Sequence, residues 1–134
     1  MSNIAVIYAS GMTGNTRRVA EYISRQKSTD IFDLKKMSAI DISGYDTIVF
    51  GTGIHAGKPY APLVDFLNKN KDNLVEKKLY LFICCMYNDD KGDRQCEAVS
   101  QKLGISDAVY FNKKGPNMNS EGFPEDVDVF ISKL

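Results

Sequence analysis

Seven residues, Ser10-Gly11-Met12-Thr13-Gly14-Asn15-Thr16, lie between an apolar run and a segment of helical periodicity, and none of them carries a charge. Their types suit one task, the holding of an anion. Gly11 and Gly14 let the backbone turn tightly and approach a ligand closely. Ser10, Thr13 and Thr16 offer hydroxyls, Asn15 offers an amide, and Met12 completes the loop. A helix that starts here points free N–H groups and the positive end of its dipole at the loop. A phosphate could then be held with no basic side chain. The simpler alternative is that Thr13 or Asn15 only caps the helix. Two arginines, Arg17 and Arg18, follow in the first turn. Cations there oppose the dipole by about 0.3–1 kcal/mol. Either a bound anion offsets that cost or both side chains are simply solvated.

Two further segments carry polar or aromatic groups. "GTGIHAGKPY" spans 51–60. Its GxGxxxG spacing and Pro59 set it apart from a dinucleotide fingerprint, and Gly57-Lys58 lacks the Ser or Thr that ends a P-loop. "CCMYNDDKGDRQC" spans 84–96 and offers Tyr87 as a flat ring for stacking. Asn88, Asp89 and Asp90 supply hydrogen-bonding groups and are also ordinary turn formers.

Other chemistries find little support. No triad or carboxylate pair can be nominated. His55 is the sole histidine and no CxxC occurs among the three cysteines, so a zinc site is not expected. Reduced thiols suit a cytoplasmic protein. Seventeen basic residues balance seventeen acidic ones, which argues against a nucleic-acid or anionic-membrane binder. The longest apolar run, Leu79 to Tyr87, is too short to span a bilayer. Met1-Ser2-Asn3 leads straight into a strand, so no leader peptide is expected.

The elements that must position these segments follow from periodicity. "NIAVIYA" reads as a buried strand and 15–26 as a helix with Val19, Ala20 and Ile23 on one face. Strands are expected at 30–34, 45–51, 78–86 and 107–112. Helices are expected at 60–70, 93–103 and 124–134, with Gly104 as a stop signal. Residues 35–45 are too short and broken for more than a turn or one helical turn. The order is β-α-β-β-α-β-α-β-α in one domain over 1–134. It implies a three-layer α/β fold, with a five-stranded parallel sheet of order 2-1-3-4-5 and helices on both faces. Ligands in such sheets bind beyond the carboxyl ends of the strands, at the switch between strands 1 and 3. That rule selects the loops 9–16, 51–60 and 85–93.

Strand, then "TGNT", then "RRVAEYI" resembles the phosphate loop of the flavodoxin family. "YDTIVFGTGIHAGKPYAPLVDFLNKN" is similar to the branch of that family that includes bacterial protoporphyrinogen oxidases. Family members often carry Glu just after the motif, where this chain has Arg17. The resemblance implies FMN as cofactor, with its phosphate on residues 10–16. It implies Thr52, Gly53, Ile54, His55, Ala56 and Gly57 along one face of the flavin ring, with a carbonyl near Ala56-Gly57 accepting from N5–H on reduction. It implies Met86, Tyr87, Asn88 and Asp90 at the other face and the pyrimidine edge, with Tyr87 stacked. A histidine or acids near the ring would tune its potential. The implied function is electron transfer between partner proteins. Two alternatives stay open: an FMN-dependent oxidoreductase of a quinone- or protoporphyrinogen-type small molecule, and a flavin-less binding module. A signalling receiver would need an acidic pair after strand 1 and an Asp ending strand 3, where this chain has Ala9-Ser10 and Gly51-Thr52.

Overall fold

The computed structural model describes residues 3–10, 14–37, 39–55, 58–85, 90–105, 107–112 and 125–134. Its most apolar strands lie at its centre. β1 (Ile4–Ala9) is buried on both faces, as its branched residues require. It pairs in parallel with β2 (Asp30–Asp33) on one side and β3 (Thr47–His55) on the other. β3 continues in parallel to β5 (Lys78–Cys85), and β5 to β6 (Ala108–Asn112). The five long strands therefore keep the expected 2-1-3-4-5 order. A sixth strand was not expected. The two-residue β4 (Lys58–Pro59) folds back antiparallel on the end of β3.

Two apolar layers cover the sheet. One face carries α1 (Asn15–Lys27) and α5 (Glu125–Ser132), which bury Val19, Ala20, Ile23, Val127, Phe130 and Ile131 against Val6, Val49 and Phe82. Tyr22 donates to Asp128 and so ties the two helices together. The other face carries α2 (Ala61–Lys69), the single turn α3 (Lys71–Leu74) and α4 (Asp90–Leu103). Their Leu63, Phe66, Leu67, Leu74 and Val99 pack on Ile7, Ile48, Phe50, Leu81 and Ile83. Each such large side chain contributes about 1.5–3 kcal/mol by leaving water. Among the described residues no helix joins β2 to β3. Leu34, Ile40 and Ile42 bury themselves from turns instead, and Asp41 holds one turn by accepting from the Ser43 N–H and hydroxyl.

Element boundaries depart from the sequence reading chiefly at β3, α4 and α3. β3 runs to His55 rather than ending at 51, because its glycines are strand positions. An added Cβ on Gly51 would lie 2.2 Å from the Phe82 ring, so the ring occupies the space that a side chain would need. α4 begins at Asp90, not 93, and α3 is an extra turn between α2 and β5. Gly104, at φ 72°, ends α4 as expected.

Candidate functional site

Register brings the selected segments to one edge. Ala9, the last residue of β1, is the ladder partner of Thr52, and Thr52 is the partner of Ile83 in β5. Gly53 pairs with Cys84. The carboxyl ends of β1, β3 and β5 thus lie side by side, at the β1–β3 switch.

The first segment is built around Gly14. It is the N-cap of α1 and adopts the left-handed conformation, φ 72° and ψ 11°. That backbone suits glycine and strains other residues by about 1–2 kcal/mol. Having no side chain, Gly14 holds the N-cap position without a capping side-chain hydrogen bond. An added Cβ would meet no heavy atom of the described residues within 4 Å. Ser10, directly after β1, and Thr16, in the first turn of α1, are buried, Thr16 at 2% exposure. Gly11, Met12 and Thr13 lie outside the described residues, as does the side chain of Asn15.

The arginines of the first turn have a local explanation. Arg17 donates from Nε to Glu21 Oε1 at 2.9 Å, one turn along α1. The hydrogen bond and the charge of Glu21 raise the guanidinium's pKa. Arg17 is exposed, and so is Arg18. The buried Tyr8 lies close enough to Asp33, Arg17 and Glu21 for its phenol to feel their charges. Burial raises that phenol's pKa most, Asp33 and Glu21 add to the rise, and Arg17 opposes it.

The second segment is a short hairpin. β3 pairs with β4 through Ile54–Pro59 and His55–Lys58. Thr52 closes its base: its buried Oγ1 donates to the Gly53 carbonyl at 2.9 Å and accepts from the Tyr60 N–H at 3.1 Å. The Thr52 hydroxyl therefore works inside the hairpin and does not reach out as a ligand group. Gly53 is buried beneath Tyr60, whose hydroxyl lies 2.6 Å from where a Cβ would stand. Burial, and then Cys84, raise the Tyr60 pKa. Ile54 and His55 have described backbone only, and Ala56 and Gly57 lie outside the described residues.

In the third segment, Met86, Tyr87 and Asn88 lie outside the described residues. Asp90 is placed by its backbone at the start of α4. The described residues thus bring Ser10, Gly14, Thr16, Thr52 and Gly53 to one edge. Tyr60 was missed by sequence reasoning. Its signal was the pair of glycines two apart, which in a strand marks the close approach of a neighbour. Among the described residues no group of three or more His, Cys, Asp or Glu could hold a metal, and no helix is long and apolar enough to cross a membrane.

Comparison with known proteins yields consistent matches. The family model described as a flavodoxin domain matches residues 5–131. A flavodoxin of Maridesulfovibrio salexigens is 30% identical over 140 residues, covering 93% of this chain and 90% of that protein. An uncharacterized protein of Methanocaldococcus jannaschii is 36% identical over 78 residues, 58% of this chain, and a flavodoxin of Haemophilus influenzae is 30% identical over 103 residues, 74% of this chain. These two alignments span only 50% and 59% of the relatives' own length. Among solved structures, a WrbA-like flavodoxin from Agrobacterium tumefaciens superimposes with TM-score 0.68 at 15% identity, covering 99% of this chain and 95% of that one. A flavoprotein of Lactobacillus acidophilus in complex with FMN gives 0.56 at 16% identity, over 81% and 89%. The rubredoxin oxygen:oxidoreductase of Desulfovibrio gigas gives 0.70 at 15% identity, with 98% of this chain on 35% of that one.

Proposed function

The chain belongs to the flavodoxin domain family, and from that premise we propose that it binds FMN at the carboxyl edge of β1 and β3 and carries electrons between partner proteins. The observation that carries the reading is the start of α1. A left-handed Gly14 caps α1 without a side chain, the buried Thr16 lies in the first turn, and the buried Ser10 directly follows β1. The N–H groups of the first helical turn and these hydroxyls form a neutral donor set that fits a phosphate dianion.

Each residue has a share in this reading. Ser10, Gly11, Met12, Thr13, Gly14, Asn15 and Thr16 hold the phosphate. The hairpin from Thr52 to Gly57, braced by the Thr52 hydroxyl, borders one ring face. Met86, Tyr87, Asn88 and Asp90 border the other face and the pyrimidine edge. Bound FMN would supply the electron-transfer chemistry, and the chain would bind it, orient it and tune its potential. No acid, base or nucleophile of the chain is required. The reading treats 1–134 as one cytoplasmic domain.

One observation favours a second reading. Steered carriers commonly offer a strongly charged face to their partner, and this chain is balanced in charge. Direct reduction or oxidation of a quinone- or protoporphyrinogen-type small molecule needs no such face. Purification and an absorption spectrum after incubation with FMN test the shared premise. Stopped-flow mixing of the reduced protein with a small quinone separates the two roles.

A further inference from the structure

Tyr60 stands at a junction that neither the phosphate loop nor the ring-facing residues explain. It follows β4 directly and serves as the N-cap of α2. Continuing the β3–β4 register by one pair sets it opposite Gly53. Three atoms of its side chain lie within 3.0 Å of the position a Gly53 Cβ would take, the hydroxyl nearest at 2.6 Å. Its backbone N–H donates to Thr52 Oγ1 at 3.1 Å. On the far side of Gly53 stands its parallel partner Cys84, half-buried and close enough to influence the phenol electrostatically. Tyr60 is thus fixed by a hydrogen bond at its backbone and by a fitted glycine beneath its ring. Both fixings lie at the base of the hairpin that carries 54–59.

We propose that Tyr60 is a positioning residue, clamping the base of the 54–59 hairpin over Gly53 so that the hairpin is held ready against the flavin ring. The proposal rests on the FMN reading for its ligand. The clamp itself rests on the packing of Tyr60 over Gly53 and on its N–H bond to Thr52. A hairpin already held needs less ordering when the ligand arrives, and preorganisation of this kind raises affinity. Gly53 has no side chain because the ring of Tyr60 occupies that space.

The test is a double-mutant cycle on FMN affinity, paired with thiol labelling of the protein without flavin. Tyr60→Ala and Gly53→Ala should each weaken FMN binding by about tenfold, as expected for residues that order a binding loop. The Gly53→Ala penalty should largely vanish in the Tyr60→Ala background, because the clash has gone. Tyr60→Phe, which keeps the ring and the N–H, should recover most of the affinity lost in Tyr60→Ala. A Gly53→Ala penalty undiminished in the Tyr60→Ala background overturns the clamp, and so does full affinity in Tyr60→Ala. Labelling with iodoacetamide, mapped to Cys84 by mass spectrometry, should be faster in flavin-free Tyr60→Ala than in the flavin-free wild type. This readout needs no flavin. If the wild type takes up no FMN, the cofactor reading fails, and labelling alone judges the clamp: an unchanged Cys84 rate overturns it.

Discussion

Arg17 and Glu21 form an ion pair across one turn of α1, Nε to Oε1 at 2.9 Å, and this pair explains a cation where the helix dipole disfavours one. The arginine is 56% exposed. An exposed pair of this kind contributes little to stability. Arg17→Ala should therefore leave stability nearly unchanged and shift FMN affinity by less than about threefold. Urea denaturation and a flavin-fluorescence titration measure the two quantities. A loss of affinity of about a hundredfold, some 2.7 kcal/mol, would mean that Arg17 reaches the phosphate after all.

Thr16 should behave differently. It is buried in the first turn of α1, two residues after the left-handed Gly14. Thr16→Val keeps the shape and removes the hydroxyl. Loss of one hydrogen bond to a charged phosphate should weaken FMN binding by about 10- to 100-fold. The same titration reads this, with riboflavin as a control. Riboflavin lacks the phosphate, so its binding should be nearly unchanged by the substitution. Equal losses for both ligands would place Thr16 elsewhere than at the phosphate.

Gly51 tests the packing that carries β3 to the site. An added Cβ would stand 2.2 Å from the Phe82 ring, which is fully buried between α1 and α5. Gly51→Ala should destabilise the protein by about 1–3 kcal/mol through overpacking. Gly51→Ala/Phe82→Leu should lose less than the sum of the two single changes. Chemical denaturation decides it, and simple additivity would count against the contact.

Alkaline pH should weaken the fold through Tyr45. Its hydroxyl donates to Asp30, and that bond, with burial and the nearby carboxylates, pushes its pKa from 10.0 up to about 12. The neutral phenol is favoured in the folded state. The stability it contributes is thus fully present below pH 10.0 and is lost as pH rises toward about 12, where the unfolded chain has already ionised. Tyr45→Phe should flatten this limb of the stability profile. A Tyr45→Phe protein with the same slope as the wild type between those values would contradict the assignment.

Much of this architecture is legible in the chain. The branched run Ile4 to Ala9, the apolar run from Leu79 and the spacing of Val19, Ala20 and Ile23 name their elements because burial on a sheet or helix face demands those patterns. Gly104 announces the end of α4 because a left-handed terminus favours glycine. The extension of β3 is not legible. Gly51 and Gly53 look like loop residues until Phe82 and Tyr60 are seen lying over them. Tyr60 reads only as the first residue of a helix, since its partner, Gly53, offers no side chain to pair with. The Arg17–Glu21 pair was open to reading from its four-residue spacing, but a charge pattern alone does not say whether an arginine turns to its helix or to a ligand.

The central claim is that the edge shared by Ser10, Gly14, Thr16 and the Thr52–Gly53 end of β3 is a flavin site. Equilibrium titration of the purified, flavin-free chain with FMN, followed by flavin fluorescence and visible absorption, tests it most directly. The account predicts saturable uptake of one FMN per chain with a Kd of about 1 μM or tighter, and much weaker binding of riboflavin. A flavin signal that stays that of the free ligand, with FMN in excess over the folded protein, would contradict it.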